Sequence, residues 1–171
     1  MVPLSTFTNS SNYVKIMKQK ILSNHTLEGV ITLNKDTFAG IASVGTCIAI
    51  FTTGVPHPKS KKSKFINFEN DGYLKAKSTS LIDDGTAEEK KEYLLNVWKE
   101  KFEAPNNFCV KSTIEPTDEW LHSFYYFNDS IPTTEDFEKV VADYLTFEVN
   151  MITHGRGYLF GLEDDEEETD E

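Results

Sequence analysis

Cysteine is scarce in this 171-residue chain: only Cys47 and Cys109 occur. Two are too few for a disulfide scaffold and too sparse for a zinc cluster, so both are expected to be reduced, mostly buried thiols of a cytoplasmic protein. No apolar run approaches the roughly 20 residues that a membrane-spanning helix needs. The first residues, Met1-Val2-Pro3-Leu4-Ser5, lack the basic stretch and apolar core of a secretory signal. Val2-Pro3-Leu4 reads instead as the end of a strand whose beginning is missing. The sequence holds no Gly-rich phosphate loop, no Gly-x-Ser-x-Gly elbow, no His-Glu-x-x-His helix and no Asn-Pro dipeptide. The four histidines are scattered. His25-Thr26 and His122-Ser123 lack the intervening residue of a two-histidine phosphoesterase motif, and His25 is expected to hydrogen-bond a helix-to-strand turn. Basic charge is also short, with a net charge of −11. Eight of the 28 acids, however, crowd into residues 163–171. The remaining 20 face 17 bases, so the body is nearly neutral and the tail reads as a disordered, solvating end.

The hydrophobic content of 39% suits one modest core. Ser10 or Ser11 can cap a helix to about Leu22, with Val14, Met17, Ile21 and Leu22 on one face and Lys15, Lys18 and Lys20 mostly opposite. Leu27–Leu33 reads as a strand. Gly45–Phe51 reads as a second one, so continuously apolar that it is expected to be central and covered on both faces. Their short connection predicts an antiparallel pair. Phe65–Phe68 is a short strand ended by the turn Glu69-Asn70-Asp71-Gly72, with Tyr73-Leu74-Lys75 expected to pair back. Thr86 and Glu89 have the spacing of a capping box, opening a helix to about Phe102 that Pro105 stops. Phe108–Ser112 is a further strand. Trp120, Phe124, Tyr125 and Tyr126 form an aromatic segment better suited to a core or interface than to base stacking. Thr134 caps a last helix to about Val149, with Phe137, Val140, Val141, Tyr144 and Leu145 on its apolar face.

Catalytic residues and metal ligands do not stand out. Glu88 and Glu89 are explained by their place in the first turn of a helix. The one local hint of nucleic-acid contact is the loop Gly54-Val55-Pro56-His57-Pro58-Lys59-Ser60-Lys61-Lys62-Ser63-Lys64. Its candidate contacts are His57, Lys59, Lys61, Lys62 and Lys64, and each lysine can neutralise a phosphate. The alternative is a solvated connector between two strands.

Several stretches in order form a larger pattern. They are Val2–Ser5; Lys20-Ile21-Leu22 with His25–Leu33; Phe38; Gly45–Phe51; Gly54–Pro58; and Phe65–Gly72. Together they resemble the C-terminal half of the modification subunit of type I restriction–modification systems and of related N6-adenine DNA methylases. The resemblance is clear over about residues 1–102, weaker over 103–150 and absent from the acidic tail. It implies an α/β fold: the C-terminal portion of a doubly wound, Rossmann-like methyltransferase sheet, with a helix and an antiparallel strand pair at the sheet's edge, then a small, mainly helical extension. Residues 1–54 would form the sheet portion, 55–150 the extension and 151–171 the tail. The family binds S-adenosylmethionine on an early Gly-containing segment and holds adenine with an Asn-Pro-Pro-Tyr/Phe motif. This chain has neither, so no catalytic residue is assigned. The resemblance implies S-adenosylmethionine for the complete enzyme only. It implies as partners an N-terminal methyltransferase half or other restriction–modification subunits, with DNA met through the complex and no membrane. The expected function is a C-terminal fragment or split subunit that is not catalytically complete alone. The alternative is a non-catalytic regulator docking on a methylase or restriction complex.

Overall fold

The computed structural model describes residues 1–38, 41, 44–76, 80–128 and 131–161, in two units, 1–128 and 129–171. The first unit opens with β1 (Val2–Pro3) and one helical turn, α1 (Ser5–Thr8). Helix α2 (Asn12–Asn24) follows, and the Ser11 hydroxyl caps it by accepting from the Val14 N–H at 3.4 Å. The expected stripe forms, with one difference. Lys18 is not opposite it but 2% exposed, because it lies one turn after Val14 and one turn before Leu22. Its ammonium donates to the carbonyls of Phe7 (2.8 Å) and Asp118 (2.7 Å) and stands 5.2 Å from the Trp120 ring. Burial lowers the pKa of this lysine, against the opposing pull of Glu119 and Asp118.

Strands β2 (His25–Leu33) and β3 (Thr46–Thr53) form the expected antiparallel pair. They are followed by β4 (Ser63–Phe68), β5 (Tyr73–Lys75), β6 (Leu81–Asp83), α3 (Ala87–Trp98), β7 (Cys109–Ser112) and α4 (His122–Tyr125). The main sheet is mixed, in the order β1-β3-β2-β4-β7. The β2–β3 pair is therefore at the sheet's edge only on its β3 side, where β1 covers two residues, while β4 continues the sheet beyond β2. Strand β4 runs parallel to β2 from Gly29↔Lys64 to Leu33↔Phe68, and β7 closes that side antiparallel to β4. The sheet thus continues past residue 54, and the segment expected to be a mainly helical extension supplies two of its strands. Tyr73–Lys75 pairs with Leu81–Asp83 in a separate ribbon, not back onto β4.

Helices cover both faces. One core holds Phe7, Leu27, Val30, Cys47, Phe65, Ile114, Trp120 and Leu121, under α1, α4 and the loop before α4. The other holds Ile31, Ile66, Val97 and Cys109, under α3. The doubly covered strand is β2, six of whose nine residues are buried. Strand β3 is half-covered: beyond the pairs Val2↔Cys47 and Pro3↔Thr46, its outer edge from Ile48 onward has no strand beside it among the described residues. Gly29 marks the tightest point. A Cβ there would strike the Lys64 carbonyl and come within 2.9 Å of the Trp98 ring, so only glycine lets β4 and α3 close on β2.

The box expected at Thr86 does not form. That hydroxyl bonds Asp84, and the Asp83 carboxylate accepts from the Ala87 N–H at 3.3 Å instead. Helix α3 ends at Trp98, before the expected Phe102, where Glu100 turns the chain with φ +57°. In the second unit, α5 (Thr134–Thr153) starts one residue after its cap, Thr133, which forms a full capping box with Asp136. A 3₁₀ turn, Gly157–Phe160, packs back through a Phe147–Phe160 edge contact at 6.1 Å. Helix α5 and the 3₁₀ turn thus extend past residue 151, where the tail was expected to begin. The acidic run itself lies outside the described residues.

Candidate functional site

The basic loop joins β3 to β4, and its first half is pinned to the α2–β2 junction. Gly54, at φ +77°, supplies a turn that L side chains resist, and its N–H donates to His25 Nδ1 at 3.1 Å. The Thr26 hydroxyl donates to the Val55 carbonyl (2.9 Å) and contacts that of Pro56 (3.2 Å). The His57 N–H donates to the Leu22 carbonyl at 2.8 Å. The His25 ring therefore bonds the turn at the end of its partner strand β3, not the helix-to-strand turn expected from its position.

The five candidate contacts separate into two groups. His57 buries both ring nitrogens without a hydrogen-bond partner, although the Lys61 backbone lies close enough to favour the charged ring. Burial is the larger influence and holds its pKa below the ordinary value. Lys61 is ion-paired to Glu28 at 2.8 Å. The same carboxylate accepts from the Thr52 hydroxyl at 2.7 Å, and the two bonds lower its pKa. Lys64 donates to the Trp98 carbonyl at 2.7 Å, pairs with Glu100 at 3.1 Å and lies 5.0 Å from the Trp98 ring. These three groups tie the loop to the fold. Lys59 and Lys62 are exposed and without an ion pair among the described residues, so they are the two free to meet a phosphate.

A second concave region escaped the sequence reading. At the carboxyl end of β4 lies a cavity of about 580 Å³, bounded by Phe68, Glu69 and Asn70, by Glu89, Lys90 and Tyr93 of α3, and by Pro105, Asn107 and Phe108. Gly72 brings its two sides together: its φ is +88°, and a Cβ would meet the Ala87 backbone at 2.6 Å. Residues 67–70 and 86–93 are also tied by the Asp84 N–H donating to the Gly72 carbonyl at 2.9 Å and by the Lys90 ammonium donating to Asn70 Oδ1 at 2.6 Å. The two thiols take no part. Cys47 and Cys109 are free and buried, and burial pushes the Cys47 thiol up to about 11. His122 is buried too, with Nε2 2.8 Å from the Asn106 carbonyl.

Comparison with known proteins decides the family. The N-6 DNA Methylase profile matches residues 3–123. The chain belongs to the N-6 DNA methylase family. It is 50% identical over 167 residues to the type II restriction enzyme and methyltransferase RM.BcgI of Heyndrickxia coagulans. That match takes in 97% of this chain but 26% of the relative, so the chain spans about a quarter of the relative's length. Two solved structures share the fold. One is a modification subunit, assigned to a type I restriction enzyme, from Vibrio vulnificus YJ016: TM-score 0.51, 13% identity, 82% of this chain and 27% of that one. The other comes from work on complex assembly and conformational transition of the type I restriction–modification system: TM-score 0.50, 14% identity, 95% of this chain and 35% of that one. The resemblance read from the motifs is borne out, and the mixed sheet is that of an α/β methylase-family chain.

Proposed function

We propose that this chain is the C-terminal part of an S-adenosylmethionine-dependent N6-adenine DNA methyltransferase of a restriction–modification system, and that it is catalytically incomplete alone. The 50% identity to a methyltransferase of which it matches 26% carries the reading. The half-covered β3 supports it, because an open apolar strand edge is where further strands of a sheet add. The residues at hand do not fit the methyl donor. The parallel strands β2 and β4 run into Asn34 and Glu69-Asn70, not into a glycine turn that admits a cofactor. Asn34 closes its strand end by donating to Asp71 (2.8 Å) and the Tyr73 carbonyl (3.0 Å). The donor supplies the methyl group, and both its site and the adenine pocket belong to the remainder of the enzyme. This chain completes the sheet and, through Lys59 and Lys62, contributes phosphate contacts.

The test is co-expression with the remaining methyltransferase portion, followed by transfer of labelled methyl groups from the donor to adenine in DNA. Activity from the pair and none from either part supports the proposal. Methylation by this chain alone, or parts that never associate, would end it. A second reading, a regulator that docks without completing an enzyme, is favoured by α5, none of whose side chains is buried. It predicts binding to an intact methylase with no gain, or a loss, of activity.

A further inference from the structure

The cavity at the carboxyl end of β4 has a chemistry that the methylase reading leaves unused. Three aromatic rings and a proline line it: Phe68, Tyr93, Phe108 and Pro105. The rings are fixed against each other, with Tyr93 edge-on to Phe108 at 4.8 Å and tilted against Phe102 at 5.2 Å. The cavity also has charge of one sign to spare. Lys90 is already spoken for, donating to Asn70 Oδ1 at 2.6 Å and facing Asp84 at 3.8 Å. Glu69 and Glu89 are exposed, and their carboxylates have no hydrogen bond or ion pair among the described residues. An anionic ligand such as a phosphate would meet repulsion there. A purely aliphatic one would make no use of the two carboxylates at the rim. A flat cation satisfies both features, because it stacks on aromatic faces and offers paired donors to a carboxylate.

We propose that this cavity receives an arginine side chain presented by a polypeptide segment outside this chain. The guanidinium lies against the Tyr93 and Phe108 rings, pairs with Glu69 or Glu89, and has the amides of Asn67 and Asn107 as further acceptors. Arginine is favoured over lysine because its planar fork matches a carboxylate and stacks on a ring, whereas an ammonium is a strongly hydrated point charge. The occupant is a protein segment: a free nucleotide would bring its phosphate to Glu69 and Glu89. The proposal does not depend on the methyltransferase reading, since it concerns a different face of the fold and is read by binding.

The test titrates the 171-residue chain, free or in its complex, with the peptide acetyl-Ala-Ala-Arg-Ala-Ala-amide, following the side-chain amides of Asn67 and Asn107 by NMR. Saturable binding is expected, with the isosteric but neutral citrulline peptide and the Glu69→Gln/Glu89→Gln variant each weaker by roughly tenfold, about the worth of one charge-assisted contact. The lysine peptide should fall between. Equal binding of the citrulline peptide, an unchanged affinity in the double variant, or no saturation by the arginine peptide overturns the proposal. So does adenosine moving the same amides more strongly, which would make the cavity a nucleobase site.

Discussion

Helices α3 and α5 carry the same kind of message with opposite outcomes. Both are amphipathic, and α5 is the longer and the more strongly patterned. In α3 the stripe Tyr93, Leu94, Val97 and Trp98 packs on the sheet, and Val97 is only 4% exposed. In α5 the stripe Phe137, Val140, Val141, Tyr144 and Leu145 is at least half exposed throughout. A helical period states which face is apolar; it does not state that a partner is present. The better capped helix, with its full box at Thr133–Asp136, is the one without a core. Local capping stabilises a helix whether or not its apolar face is buried.

The comparison can be broken by one matched pair of substitutions. Val97→Asp should unfold the first unit, at a cost on the order of 4 kcal/mol for an unpaired buried charge. Val141→Asp should leave that unit within about 0.5 kcal/mol of the parent. Both tryptophans, Trp98 and Trp120, lie in the first unit, so fluorescence-detected urea unfolding reports on it alone. Equal losses would show that α5 is not independent of the core. Gly29→Val should cost roughly 3 kcal/mol by overpacking, because backbone and an indole ring occupy the space that its side chain needs; a small loss would mean that α3 rides loosely on the sheet.

Lys18 offers a subtler contrast, a charge on a stripe that should be apolar. Its folded pKa is below the unfolded value, so the unfolded chain binds more protons and native stability rises as pH climbs from the folded pKa toward 10.5. Lys18→Met leaves the Phe7 and Asp118 carbonyls without their donor and should destabilise by roughly 1–3 kcal/mol near neutrality, as unfolding midpoints will show. The smallest effect belongs to α5: Thr133→Ala should lower its helix stability by about 1 kcal/mol, seen as lost circular-dichroism helicity without a change in tryptophan-detected unfolding.

Much of the fold was legible because its signals are local. The cap at Ser11 and the antiparallel β2–β3 pair follow from adjacent residues. What was missed depends on contacts between distant ones. The parallel alignment of Phe65–Phe68 with Val30–Leu33 cannot be read from either strand, and it decides that the sheet runs on past residue 54. Lys18 reads as a solvent residue until its two carbonyl acceptors come from elsewhere in the chain. In the basic loop, a run of lysines says nothing about which are already partnered, and Glu28 and Glu100 settle that for Lys61 and Lys64. The cavity beside Tyr93 is built from three separated segments with no motif among them.

The sheet's strand order also dictates a timetable. Strand β2 has neighbours on both sides, β3 and β4, and each is made after it on the ribosome. The last strand, β7, ends at Ser112, and the Lys18 ammonium takes its second acceptor from Asp118, 100 positions downstream. A nascent chain therefore carries β2 without its parallel neighbour until β4 has been made. Closure of the lysine latch is among the final events, and slow, long-range loop closure of this kind sets the pace of folding.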